Sequence, residues 1–399
     1  MNAFEKFKLP HVVFGEDASK QAGEKLQYLG GTRCLVVTDK GVEAAGLLEP
    51  ILETLKAVGI GYVVFDNVLP NPPDYICLEA AETLRKEKCD CTLAVGGGSV
   101  IDTAKAANLI VSIPEEIESL HDYSATGTKM KTSFTRNVSF IAIPTTAGTG
   151  AEVTVSSVIT DTTLNLKYSF MNENMVADLV IIDPLLTLGM PPRPTAIVGL
   201  DALCHALEVV VGAKQNDFSS LLAFDCIKRI WKWLPVVYKN PGNREARAQM
   251  AYGAHMAEST GGSANGHCVG HAIGAKYNIV HGHACIMVMP ALIRHHAEVS
   301  AENIRRLADI FGVPSIGTPK EVADYVADAV LNYYKSFGLT TFRETMKANG
   351  MDDDLDTFTE KLIPAILDDF KSRVWVPSIH NPEDLPVLKN VCRMIYDEE

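Results

Sequence analysis

Through the first half of the chain, short β-branched runs alternate with stretches of helical apolar spacing, a pattern that predicts a parallel sheet wrapped by helices. The runs are LVVTD ending at Asp39, YVVFD ending at Asp66 and TLAVG ending at Gly96, with helices marked by Leu48 and Leu55 and then by Ala80 and Leu84. FIAIP ending at Pro144, VTVSSVIT ending at Thr160 and LVIID ending at Asp183 are further strand candidates. Past the proline cluster GMPPRP, which ends at Pro194, the texture changes, and Ala, Leu and Ile recur at helical spacing up to Glu399. The expected fold class is α/β plus all-α, with a nucleotide domain over 1–188 and a helical metal and substrate domain over 189–399. The proline cluster is too short for a flexible linker, so the two domains are expected to pack together and leave a cleft.

With 399 residues and 47% hydrophobic content, the chain can bury a large core. It shows no internal repeat and no low-complexity tract. A formal net charge of −13 argues against a sequence-independent grip on nucleic acid or anionic lipid, so an anionic ligand would need a local positive site. The opening MNAFEKFKLPHVVFG mixes both charge signs without a long apolar region, and no apolar stretch reads as membrane-spanning, so a cytoplasmic protein is expected. The nine cysteines are scattered without a CxxC pair and read as reduced core thiols.

Gly96, Gly97, Gly98 and Ser99 follow the strand TLAV and open the helical run VIDTAKAANLIV. Glycines let backbone N–H groups approach a phosphate, and the helix start adds partial positive charge, so strand, turn and helix together form an anion site. Asp39, closing an earlier strand, could accept hydrogen bonds from two ribose hydroxyls, although a carboxylate there is commonly a turn or cap residue. PTTAGTGAEVT, from Pro144 to Thr154, is a second loop after a strand and offers the hydroxyls of Thr145, Thr146 and Thr149. Two such loops at strand ends place a nucleotide crevice in this half. Lys167 could supply the local positive charge, whereas Lys105, inside the helix, reads as a surface or packing lysine.

The second half carries a different chemistry. Asp201 and His205 lie four apart in GLDALCHALE, on one face of a helix, and His267, His271, His281 and His283 follow in one short segment. One carboxylate with several imidazoles is a donor set for Fe(II) or Zn(II). Either His267 pairs with His271 on one helical face, or it reaches His281 across a helix and a turn, and spacing does not choose between them. A mononuclear metal beside a nucleotide crevice suits hydride transfer to a polarised carbonyl.

GGGSVIDTAK, PTTAGTGAEVT, DALCHALE and the frame GHxxxHxxGxxxxxxHG together resemble the iron-containing, group III alcohol dehydrogenases, in family order and spacing over nearly the whole chain. The resemblance implies a Rossmann-like N-terminal domain with a parallel sheet, an all-helical C-terminal domain and an active site in the cleft between them. It places the metal ligands on Asp201, His205, His267 and His281 and makes His271 a candidate proton relay. Cofactor contacts fall on Asp39, Asn71, Gly97, Gly98, Ser99, Thr145, Thr146, Thr149, Thr154, Lys167 and Leu186. With Asp39 present, NAD(H) is expected over NADP. The implied protein is a homo-oligomer, dimer or larger, that reduces a small aldehyde or oxidises the matching primary alcohol with one divalent metal, Fe(II) before Zn(II).

The sequence departs from the family at the substrate wall. Glu258 lies in the polar stretch AESTGGSAN, where many relatives carry an apolar or aromatic residue, which suggests a substrate with a second polar group. Cys285 and His283 stand where relatives often carry small or aliphatic residues, and they either line the same pocket or pack. Ser156 and Ser263 complete the expected pocket. Two other classes are distinguishable: a dehydroquinate-synthase-like cyclase would need several Lys and Arg near the histidines, and a non-catalytic binder would have a coordinatively closed metal.

Overall fold

The computed structural model describes residues 9–113, 117, 120–124, 127, 135–163, 166–212, 217–260, 265–372 and 385–398. The described residues divide into two compact units, one holding those from Leu9 to Met190 together with Pro241–His255, the other holding Pro191–Asn240 and those from Met256 on.

The first unit is built on β1 (His11–Phe14), β2 (Arg33–Val37), β3 (Gly61–Phe65), β4 (Cys91–Gly96), β5 (Ser139–Pro144), β6 (Ser156–Asp161), β7 (Leu166–Met171) and β8 (Leu179–Ile182). Six of these form a sheet in the order β1-β8-β5-β4-β2-β3, every pairing parallel. All six residues of β4 are buried, as a parallel strand covered on both faces requires. The helices of this unit are α1 (Ala22–Tyr28), α2 (Lys40–Ala44), α3 (Glu49–Ala57), α4 (Asp74–Lys86) and α5 (Gly98–Ser112). Leu26, Ile51 and Leu55 from α1 and α3 close over Val36, Leu93 and Ile141 of the sheet in one apolar cluster.

Two strands escape a sequence reading. HVVF is only four residues long, and LKYSFM mixes a charge and hydroxyls into its apolar positions. β7 pairs antiparallel with β6 in a separate two-stranded sheet, and β6 starts at Ser156 rather than at Val153. The reason is Lys105. Its side chain is 1% exposed, and its Nζ donates to Thr154 O at 2.8 Å, Thr154 Oγ1 at 2.8 Å and Ser156 O at 2.9 Å, bending that segment around a buried ammonium. Lys105 is thus a packing lysine.

The remaining helices are α6 (Pro192–Val211), α7 (Asp217–Lys239), α8 (Arg244–Ser259), α9 (Asn265–Tyr277), α10 (His281–Ile286), α11 (Met289–His295), α12 (Ala301–Phe311), α13 (Pro319–Lys335), α14 (Phe342–Ala348), α15 (Leu355–Ser372) and α16 (Leu385–Asp397). Their boundaries follow local chemistry. Reciprocal capping boxes, Thr318 with Glu321 and Thr341 with Glu344, start α13 and α14, and Gly312 ends α12 at φ 72. The first part of α8 belongs to the first unit, where the buried Arg247 donates to Met190 O at 2.8 Å.

α6 corrects the expectation about membrane-length segments. It has 20 residues and a mean hydropathy of 1.5, enough to cross a membrane by length and composition, yet 83% of that window is buried inside the protein. A helix surrounded by other helices loses its amphipathic signature and reads as apolar all round. Asp201, His205 and Glu208 are carried within it, each less than a tenth exposed. All nine cysteines are free and buried, as expected.

Candidate metal centre and nucleotide turn

In the helical unit, three helices approach closely enough to bring ionisable side chains together, and glycines permit the approach. A Cβ on Gly282 would stand 2.3 Å from Ile197 O and 3.1 Å from Asp201 Cβ, so α10 lies directly on α6. A Cβ on Gly270 would stand 2.8 Å from Cys285 Sγ, and one on Gly266 would stand 2.8 Å from Glu208 Oε1. Gly266, Gly270 and Gly274 recur every fourth residue and form one bare face of α9.

The donor atoms of Asp201, His267, His281 and Cys285 all lie within 4.8 Å of one another. Asp201 Oδ1 is 3.3 Å from His281 Nε2 and 3.5 Å from His267 Nε2. Asp201 Oδ1 and His267 Nε2 are buried and have no hydrogen-bond partner, a costly arrangement that a cation between them would relieve. The residues present therefore fit a divalent metal. Three of the four expected ligands converge; His205 lies outside this set. Its ring stacks on that of His267, centroids 4.3 Å apart and planes 12° apart, and its Nε2 lies 3.4 Å from Glu258 Oε2. The expected polar wall residue Glu258 thus faces an imidazole.

Electrostatics follow from packing unlike charges in a buried place. Burial alone would raise the Asp201 carboxyl, but His281, His205 and His267 hold it well below the usual carboxylate range. Burial, with His267 alongside, pushes the His205 imidazole down to about 3. Against the same desolvation, Cys285 and Asp201 push His281 up to about 10. His271 is half-buried, its ring centroid 5.0 Å from that of His281 and 6.0 Å from that of His267.

Sequence reasoning missed Glu208. Its Oε1 lies 2.5 Å from His267 Nδ1 and its Oε2 accepts from Gly266 N at 3.1 Å, so it orients the ring and leaves Nε2 toward Asp201. The signal was available, since Glu208 lies seven residues after Asp201 in DALCHALE, on the same helical face. Glu208→Gln should lower metal affinity about 10- to 100-fold, read by metal analysis after dialysis against graded chelator. Unchanged affinity would show that the ring needs no such partner.

In the first unit, the glycine turn and the threonine loop lie together. Gly97 is the N-cap of α5, and its missing side chain leaves the start of that helix without a side-chain cap. A Cβ on Gly98 would stand 3.0 Å from Thr149 Oγ1, and one on Gly97 3.4 Å from Thr146 Cγ2, so the turn forms a cradle that a side chain would fill. Asn71, at φ 52, brings three expected cofactor residues into one place. Its N donates to Ser99 Oγ at 3.3 Å, and its Oδ1 accepts from Lys167 Nζ at 2.7 Å. These features fit a dinucleotide's phosphates.

Other expected contacts have structural partners already. Asp39 caps α2, its Oδ1 accepting from Gly41 N at 2.8 Å and Val42 N at 3.0 Å. Thr145 N donates to Gly96 O at 3.0 Å, linking loop to turn. Thr154 and Ser156 hold Lys105, and Leu186 packs in the sheet core. Ser263 lies outside the described residues.

A parallel sheet with a glycine turn that fits phosphates is followed in sequence by a helical unit with an Asp–His cluster that fits a metal. A model of iron-containing alcohol dehydrogenases matches residues 10–184 and one of the Fe-containing alcohol dehydrogenase family, C-terminal, matches 195–366, so the chain belongs to the iron-containing alcohol dehydrogenase family. It is similar to the choline dehydrogenase of Bacillus subtilis (strain 168), 35% identical over 84% of this chain and 82% of that protein. The NAD-dependent methanol dehydrogenase of Bacillus methanolicus is 31% identical over 83% of this chain and 86% of its own length. The crystal structure of a 1,3-propanediol oxidoreductase covers 98% of the chain and is itself covered in full, with TM-score 0.87 and 26% identity. The protein is an NAD-dependent alcohol dehydrogenase by class.

Proposed function

We propose that the enzyme interconverts a small primary alcohol and its aldehyde with NAD(H), using one divalent metal held by Asp201, His267 and His281. The observation that carries this reading is the pair of buried, unbonded atoms Asp201 Oδ1 and His267 Nε2. When bound, the metal supplies a Lewis acid that lowers the alcohol pKa and polarises the aldehyde, and the nicotinamide accepts or returns the hydride. The chain's own residues supply the rest. Asp201 brings the negative charge that a cation needs in a buried site, and Glu208 fixes the orientation of His267. His271, part-exposed beside His267 and His281, can pass the alcohol proton to solvent. Gly97, Gly98, Ser99, Asn71, Thr146, Thr149 and Lys167 line the phosphate cradle. Asp39, with its Oδ1 occupied by the cap, addresses the ribose through Oδ2. The enzyme is a homo-oligomer, as the family resemblance implies.

The substrate carries a second polar group. Glu258 supports this, a buried carboxylate 3.4 Å from His205 in the unit that holds the metal cluster. Relatives named for choline and 1,3-propanediol, alcohols with a second polar group, are 35% and 32% identical. NADH oxidation over aldehydes bearing hydroxyl, carboxylate, sulfonate or amine groups tests it. The highest kcat/KM should fall on one of these, and a preference for unsubstituted alkyl aldehydes would overturn it.

A further inference from the structure

A pocket of about 430 Å³ in the helical unit is walled by α7 and α12. Lys228 and Lys232, four apart on one face of α7, line it together with Arg306 and Asp309 of α12, and Phe224, Trp231 and Ile310 supply its apolar surface. Three cations against one carboxylate leave a surplus of two positive charges, in a chain where 49 acidic residues outnumber 36 basic ones. Among the described residues, Lys228, Lys232 and Arg306 form no ion pair. Asp225, one turn before them on α7, is already held by Arg229 Nε at 2.7 Å. We propose that this pocket binds a small organic phosphate monoester, at a site separate from the metal cluster and from the glycine turn.

The pocket is built on a fixed aromatic base. Trp231 stacks on Phe311 with ring centroids 3.8 Å apart and on Tyr333 at 3.9 Å, and the Tyr333 hydroxyl donates to Ile230 O at 2.9 Å and Trp231 O at 3.1 Å. The Arg306 guanidinium carbon lies 3.7 Å from the centroid of the buried Phe224 ring. That cation–π contact occupies one face of the guanidinium and leaves its N–H edges for an anion, which a phosphate can take in a bidentate manner. A phosphate monoester carries about −1.5 to −2 charges at neutral pH, which matches the surplus. The volume falls within the roughly 300–1,000 Å³ of small-molecule sites, so the phosphate carries an organic part, and the apolar surface gives that part a place to rest.

Isothermal titration calorimetry with phenyl phosphate and with inorganic phosphate tests this, on the full-length enzyme saturated with NAD to occupy the nucleotide turn. Phenyl phosphate should bind more tightly than inorganic phosphate. Lys228→Gln combined with Lys232→Gln, and separately Arg306→Gln, should each weaken phenyl phosphate about tenfold, while Lys20→Gln, an exposed lysine of the other unit, should change nothing. Ionic strength of about 1 M, where the Debye length falls to about 3 Å, should remove most of the binding. Heat of binding that survives unchanged in both variants would place the anion elsewhere and overturn the proposal, and so would the absence of binding by either probe in the unaltered enzyme. Equal affinity for the two probes would overturn the organic part of the ligand. Aldehyde reduction by the variants should stay at the unaltered rate, because none of the pocket residues belongs to the metal cluster or the phosphate cradle.

Discussion

His267→Ala should lower kcat/KM for NADH-dependent aldehyde reduction by at least about a thousandfold, roughly 4 kcal/mol of transition-state stabilisation. The ring is buried between Asp201 and Glu208, so its removal deletes a donor and leaves two carboxylates facing a void. A metal lost from that place takes with it the several kcal/mol that a Lewis acid contributes. NADH binding, measured by fluorescence, should be unchanged, because the glycine turn and the threonine loop belong to the other unit. Near-normal turnover by the variant would mean that the chemistry does not run through this cluster.

Gly282→Ala should damage the site without touching a donor atom. The added methyl would meet Ile197 O at 2.3 Å, a backbone atom that cannot swing aside, so α10 must move off α6 and carry His281 away from Asp201. Overpacking of this kind costs about 1–3 kcal/mol, and the expected readout is a lower Tm together with more than tenfold weaker metal retention. A variant with unaltered melting and full metal content would show that the two helices are not pressed together as described.

The parallel sheet and the helical unit were legible because both rest on repeated local signals. Buried parallel strands are runs such as LVV and LAV, and a helical bundle repeats its apolar spacing over many turns. β7 carries its polar residues within the strand, so nothing local marks it. The bend at Thr154 was illegible because it depends on an ammonium 49 residues earlier in the chain. A helix surrounded by neighbours is apolar on every face, so α6 mimics a membrane span, and only Asp201, His205 and Glu208 within it betray its task.

The site divides the same way. Spacing brought Asp201, His267 and His281 to notice, and the fold joins them. Spacing also paired Asp201 with His205, four residues apart on one helical face, but it does not fix the orientation of a ring, and His205 stacks on His267. Cys285, four after His281, reads from the sequence as a pocket or packing residue, and Glu208, seven after Asp201, as a lone carboxylate in an apolar helix; the glycine face of α9 brings α6 and α10 onto it and both beside the histidines.

The central claim is that a divalent metal in the Asp201–His267–His281 cluster carries the reaction. Its most direct test is aldehyde-dependent NADH oxidation by the unaltered enzyme before chelation, after chelation and after adding back Fe(II) or Zn(II), with metal content measured on each sample. Activity should vanish with the bound metal and return in proportion to the metal restored. Full turnover by the metal-free enzyme would contradict it.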